Sequence, residues 1–250
     1  MFNKQTFRRI LTAAAFALLP AMSFAGAKDD ILEMGLYRGF DQAAFTFDTQ
    51  ITAYVNNKPK GSSQVATVYY RSTDATLVAF KSPATFAGRR ILTEGNSMWM
   101  VLPTSSRTIR VSADDRLMGQ ASNGDILNIP VEKYSYAYNG TETVNGKTYK
   151  RIVAKLSRGS AMYSRVDFLL AEGSNKPFRS YHFSGSGKLL KIAQYAAFRN
   201  FAGHERVTKI ALIDPIVKSN VTVMHFDNYR QRNLPQAMFR KSALRNAINF

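Results

Sequence analysis

The chain of 250 residues contains no cysteine. That absence excludes disulfides, thiol chemistry and acylation through an N-terminal cysteine. Histidine is almost as scarce: His182, His204 and His225 stand far apart, and none has a second ligand at metal spacing, such as i+4 on a helix. His182 and His225 fall inside strand patterns and His204 in a glycine-bounded turn. The Gly-x-Ser-x-Gly nucleophile elbow is missing, and Gly185-Ser186-Gly187 reads as a hairpin turn. Acidic residues number 17 against 34 basic ones, a formal charge of +17. No segment beyond the first 25 residues is apolar over the roughly 20 residues that span a bilayer. These absences turn the reading away from catalysis and from any cofactor or metal, towards a shaped surface or cavity.

The beginning of the chain reads as an export signal. Lys4, Arg8 and Arg9 form a positive region, Ile10–Leu19 an apolar one, and Pro20 breaks it. Ser23-Phe24-Ala25 supplies small residues for cleavage after Ala25, and Ala25-Gly26-Ala27 offers a second position after Ala27. Residues 1–25 are thus expected to be a signal peptide and 26–250 one domain, in the periplasm. Removing 1–25 takes away three basic residues and no acidic one, which leaves a charge of +14. Such a balance favours anionic lipid headgroups, lipopolysaccharide or acidic protein faces. Export argues against nucleic acid. Without disulfides, about 225 residues must hold together by burial alone, and they are enough for one core.

The remaining pattern is mostly strands. A helix is predicted over 29–38, with Asp29 and Asp30 at its positive end and Ile31, Leu32, Gly35 and Leu36 on one face. From Thr46 the apolar period becomes two. Strands are predicted over 46–55, 63–72, 76–81, 89–93, 97–102 and 107–112, then 133–138, 149–156, 163–170, 178–183, 189–198, 208–213 and 219–229. Asn145-Gly146 between two such runs predicts a tight hairpin. Residues 124–130 read as a short crossover, and Pro235–Leu244 as a closing helix. Strands at this spacing form an antiparallel barrel or sandwich. A sheet this long must curl to dispose of its edges and its apolar face, with helices over the open mouth. Asp114 and Asp115 lie beside Arg110 and Arg116, where ion pairing is expected.

Residues 88–125 carry a resemblance. Met98-Trp99-Met100-Val101-Leu102-Pro103, then Arg107 and Arg110, Asp114-Asp115-Arg116 and Met118-Gly119, are similar to the outer-membrane lipoprotein-sorting proteins of the LolA-like superfamily. The likeness runs from about Asp29 to the C-terminal end. This chain departs from the pattern at Gly119–Asp125, where a Gly-Ser-Asp-Phe run is expected. The resemblance implies a mainly β (α+β) fold: a single antiparallel sheet curved into an incomplete barrel, with helices as a lid over an apolar cavity. It implies a non-enzymatic carrier for lipoprotein acyl chains or another lipid-like cargo, monomeric, passing cargo from an inner-membrane exporter to an outer-membrane acceptor. Peripheral contact with an anionic membrane would suit the charge. An envelope-stress sensor or lipid-responsive protein-binding module is the alternative, and an enzyme on the same scaffold a third reading. Leu77, Phe80, Ile91, Met98, Trp99, Met100 and Leu102 are the expected cavity residues, because methionine and large apolar groups adapt to acyl chains. Each methylene buried there stabilises the complex by about 0.8 kcal/mol. A register error of one residue would exchange the two faces of any strand.

Overall fold

The fold was obtained as a computed structural model, which describes residues 26–39, 44–104, 107–126 and 130–245. The expected signal peptide and its cleavage positions before Gly26 lie outside them. The elements are α1 (Ala27–Leu36), β1 (Phe45–Val55), β2 (Lys58–Pro59), β3 (Gln64–Ser72), β4 (Ala75–Ser82), β5 (Arg90–Glu94), β6 (Ser97–Val101), β7 (Thr108–Val111), β8 (Arg116–Met118) and β9 (Ala121–Ser122). There follow β10 (Tyr134–Val144), β11 (Lys147–Leu156), β12 (Arg165–Ala171), β13 (Pro177–Phe183), β14 (Leu189–Phe201), β15 (His204–Ile213) and β16 (Val221–Gln231). Short 3-10 turns occupy Asn123–Ile126, Val131–Lys133, Gln236–Phe239 and Lys241–Ala243. His204 opens β15 rather than sitting in the turn before it.

One antiparallel sheet carries the architecture. Its strands run β10-β11-β12-β13-β14-β15-β16-β1-β3-β4-β5-β6-β7, with β2 paired to β1. The two ends of this path, β10 and β7, are not paired, so the sheet is an incomplete barrel, as the sequence predicts. β8 and β9 form a separate hairpin. Asn145 and Gly146 both have positive φ (50° and 74°) at the turn between β10 and β11. This is the backbone a two-residue hairpin needs, and asparagine followed by glycine adopts it at least cost.

The pairing register shows which side chains face inward. Phe47, Val68, Val78, Ile91, Met100 and Ile109 stand opposite one another on successive strands. A second inward row runs Phe168, Ser180, Ala193, Leu212, Thr222 and Ala53. Around these rows lies the main core, with Phe45, Phe47, Phe80, Met224 and Phe226 buried. At the β10–β12 end α1 covers the inner face, placing Ala27, Ile31 and Met34 against Ile152, Tyr163 and Phe168.

Two helices differ from expectation. Along α1, Ala27, Ile31, Met34 and Gly35 are buried, whereas Leu32 and Leu36 are exposed. Asp30 sets this rotation. Its carboxylate is drawn inward by Lys150 Nζ (2.6 Å), Tyr138 OH (2.8 Å) and Asn175 Nδ2 (3.0 Å). Burial opposes ionisation of Asp30, but these donors outweigh it and lower its pKa. The predicted C-terminal helix is instead two 3-10 turns separated by extended Arg240 (φ −115°, ψ 140°). Nor does this segment cover the mouth. Leu234, Met238, Phe239 and Leu244 pack on the outer face, against Ala75, Leu77, Leu92 and Val101, with Tyr69 and Trp99 at the edge. Arg90 Nη1 ties it down through the carbonyls of Leu244 (3.0 Å) and Arg245 (2.6 Å).

Phe239 is the largest of these plugs and only 1% exposed. Phe239→Ala is expected to lower unfolding free energy by about 3–5 kcal/mol, the usual cost of removing a buried ring. Urea unfolding of the two proteins measures it.

Candidate functional site

The unpaired ends of the sheet leave a cleft of about 1070 Å³. One wall comes from the β5–β6 turn, β6, β7 and the loop that follows; the other comes from residues 130–134 and 160–163. Its deeper part is apolar: Met98, Tyr134 and Tyr163 are buried, and Val111, Ala161 and Met162 partly so. Its rim is charged, with Arg110, Asp114, Asp115 and Glu132 exposed. Lys133 Nζ spans the gap, donating to Asn96 Oδ1 (3.2 Å) on one side and to the Ser160 carbonyl (3.0 Å) on the other. The aspartates turn back on their own loop: Asp115 accepts from Ser112 N (2.8 Å) and Asp114 from Ser112 Oγ. These turn bonds stand where ion pairs with Arg110 and Arg116 were expected.

Beside the cleft, residues 113–126 fold into the concave face as a plug. Ala121 and Ile126 are fully buried in the main core, and Ala113, Leu117 and Met118 pack against it. Gly119 makes this seat possible. Its φ is +54°, and a Cβ there would lie 2.3 Å from Thr222 Oγ1 and 3.0 Å from the Ala53 methyl. Gln120 N then donates to Thr222 Oγ1 (2.8 Å).

The plug is pinned by a buried charge pair. Asp125 Oδ2 accepts from Lys191 Nζ at 2.6 Å, and the two side chains are 5% and 8% exposed. The same carboxylate accepts from Tyr163 OH (2.6 Å) and Ser122 N (2.7 Å). Lys191 also donates to the Gln120 carbonyl (2.9 Å), and Arg38 Nη2 to the Ile126 carbonyl (3.1 Å). Opposite Lys191 in the register stands His182. Its Nε2 meets Ser180 Oγ (2.8 Å), which also meets Tyr195 OH (3.2 Å), and its Nδ1 has no partner. Burial pushes the Tyr163 phenol far above its ordinary range and that of Tyr134 up to about 12, so both serve as neutral donors. Among the described residues no three His, Asp or Glu side chains converge as a metal site.

Comparison with known proteins gives the lineage. A sequence family described as "uncharacterized protein" matches residues 72–246. No curated protein matches the chain. Among solved structures, a LolA superfamily protein from Nitrosomonas europaea is 25% identical, with a TM-score of 0.78 over 87% of this chain and 99% of that one. The chain belongs to that sequence family and has the LolA-like fold. Two further structures share the fold. A DUF1329 family protein from Desulfovibrio piger is 22% identical, TM-score 0.72, over 87% of this chain and 97% of that. A domain assigned to outer-membrane lipoprotein sorting from Vibrio parahaemolyticus is 16% identical, TM-score 0.73, over 88% and 98%.

Within this LolA-like sheet the seven expected cavity residues do not share one surface. Phe80, Ile91, Met98 and Met100 belong to the inner face, and of these Met98 lines the cleft. Leu77 and Trp99 face outward, beneath the C-terminal turns. The correction follows from parity: Leu77, Leu92 and Trp99 pair across β4, β5 and β6, one position out of step with Val78, Ile91 and Met100. Trp99 is further capped by Lys241 Nζ, 3.8 Å from its ring centre. Leu102 lies just past β6, partly buried. Sequence reasoning missed Asp125, Tyr163, His182 and Lys191. One signal was available: a lysine at position 191, in step with apolar Leu189, Ala193 and Tyr195 on β14.

His182 gives the site a measurable pH signature. Burial pushes its imidazole down from 6.5 to about 4; Asp125 opposes this, while Lys191 and Arg38 add to it. Between those values the unfolded chain binds more protons than the folded one, so stability falls as pH drops through that window. The expected loss between about pH 7 and about pH 5 is roughly 2 kcal/mol. Urea unfolding of His182→Gln at both pH values should lack that part of the slope.

Proposed function

We propose that this protein is a periplasmic carrier of lipoprotein acyl chains or another lipid-like cargo, moving it from an inner-membrane exporter to an outer-membrane acceptor. Residues 1–25 act as the cleaved signal peptide and 26–250 as the carrier. The cleft at the unpaired edges carries the reading. Small-molecule sites span about 300–1,000 Å³ and are mostly apolar with a few polar groups. At about 1070 Å³ this cleft lies just above that range, with an apolar depth and a charged rim. An acyl chain would lie along Met98, Val111 and Met162, with its polar head among the rim residues.

The transfer requires no covalent step. Cargo enters by burying methylenes, each worth about 0.8 kcal/mol, and leaves when an acceptor offers an equal or better apolar site. Flexible Met98 and Met162 suit chains of different shape. The Nitrosomonas and Vibrio relatives, one a LolA superfamily protein and one assigned to lipoprotein sorting, support the same class of cargo.

Displacement of a fluorescent fatty acid tests the assignment. Met98→Trp, which fills the cleft, should weaken binding about tenfold, the effect of losing roughly two methylene contacts. Trp99→Ala, on the outer face, should leave affinity unchanged while lowering stability. The reverse pattern would move the site to the outer face.

A further inference from the structure

Three turns sit side by side along one end of the sheet, because β13, β14, β15, β16 and β1 are successive neighbours. They are residues 184–190, 214–220 and 55–61. The last two are joined directly: Asn57 N donates to the Ser219 carbonyl (3.2 Å), and Ser219 Oγ to Asn56 Oδ1 (3.1 Å). This end combines exposed apolar side chains with exposed lysines. Ile216 is 78% exposed, and Val217, Val55 and Leu190 are 43%, 37% and 37% exposed. Around them stand Lys58, Lys60, Lys188 and Lys218, all exposed and none in an ion pair among the described residues.

The only acidic residue in the three turns is Asp214, and its carboxylate is already engaged. Oδ1 accepts from Ile216 N (2.8 Å) and Val217 N (3.0 Å), holding the turn so that both side chains project. Oδ2 accepts from Gln120 Nε2 (3.2 Å) of the plug. An isoleucine at the tip of a turn gains nothing from water. It gains free energy by entering the headgroup region of a bilayer, and flanking lysines add attraction to anionic lipid. A large exposed apolar group ringed by one sign of charge is the signature of an interaction surface.

We propose that this end of the barrel, centred on Ile216 and Val217, is a docking site for an anionic lipid surface. The apolar pair inserts at the level of the headgroups, and Lys58, Lys60, Lys188 and Lys218 neutralise lipid phosphates around it. Docking is separate from cargo binding, since the cleft is lined by other residues. The two are nonetheless connected, because the Asp214 carboxylate holds both the docking turn and the plug.

Co-sedimentation of the purified protein with phosphatidylglycerol–phosphatidylcholine vesicles tests this. Wild type should bind these vesicles, bind pure phosphatidylcholine weakly, and be released by salt. Ile216→Asp/Val217→Ser, and separately Lys58→Glu/Lys60→Glu/Lys218→Glu, should each bind about tenfold more weakly. Both variants should keep the wild-type urea midpoint and fatty-acid affinity, so failure here is distinguishable from failure of the carrier reading. Absence of wild-type binding to the anionic vesicles overturns the proposal, as does unchanged binding in both variants. So does a concentration-dependent dimer that the Ile216→Asp/Val217→Ser change abolishes while vesicle binding persists, since the tip would then dock a second copy of the chain.

Discussion

A long antiparallel sheet with one apolar face and two unpaired ends has to cover that face with something other than itself. This constraint organises the whole molecule. Closing β7 onto β10 would remove both edges and seal the interior, but the path stops short of closure. The inner face is therefore covered piecemeal: by its own large side chains at the centre, by α1 at one end and by residues 113–126 in between. What is left over is the cleft. It exists because the two wings approach without pairing, and Lys133 bridges them with single hydrogen bonds where a ladder of backbone bonds would otherwise run.

The plug shows how an inserted segment covers an apolar interior. Hydrophobic contact alone specifies position poorly, since it is non-directional. Asp125 and Lys191 supply the direction, supported by Tyr163, Ser122 and the Arg38 contact to the backbone. Burying two charges costs most of what their attraction returns, so such a pair contributes position more than net stability. A cover held this way is accurately seated. The same arrangement leaves His182 beneath it, buried and neutral, with one ring nitrogen unpartnered.

Much of this fold can be read from the chain because strands announce themselves by alternation and turns by Asn-Gly and Gly-Ser. The β10–β11 hairpin is legible from Asn145-Gly146 alone. Parity is a different matter. Leu77 and Val78 are both apolar, as are Trp99 and Met100, so the pattern on β4–β6 marks strands buried on two faces without saying which face is inner. Only the pairing register separates them. The C-terminal segment has a helix-like composition, yet Leu234, Met238, Phe239 and Leu244 meet the outer face best from two short turns with extended Arg240 between them. Asp125 and Lys191 are 66 positions apart, and no local spacing could have joined them.

The central claim is that the interior keeps room for a hydrocarbon chain that its own side chains do not fill. Native mass spectrometry of the protein purified from a host with intact envelope biogenesis tests it most directly. The account predicts a discrete adduct carrying one or more acyl chains, present on wild type and depleted when Met98 is replaced by tryptophan. A protein that is always recovered empty, with no acyl-bearing species under gentle ionisation, would contradict it.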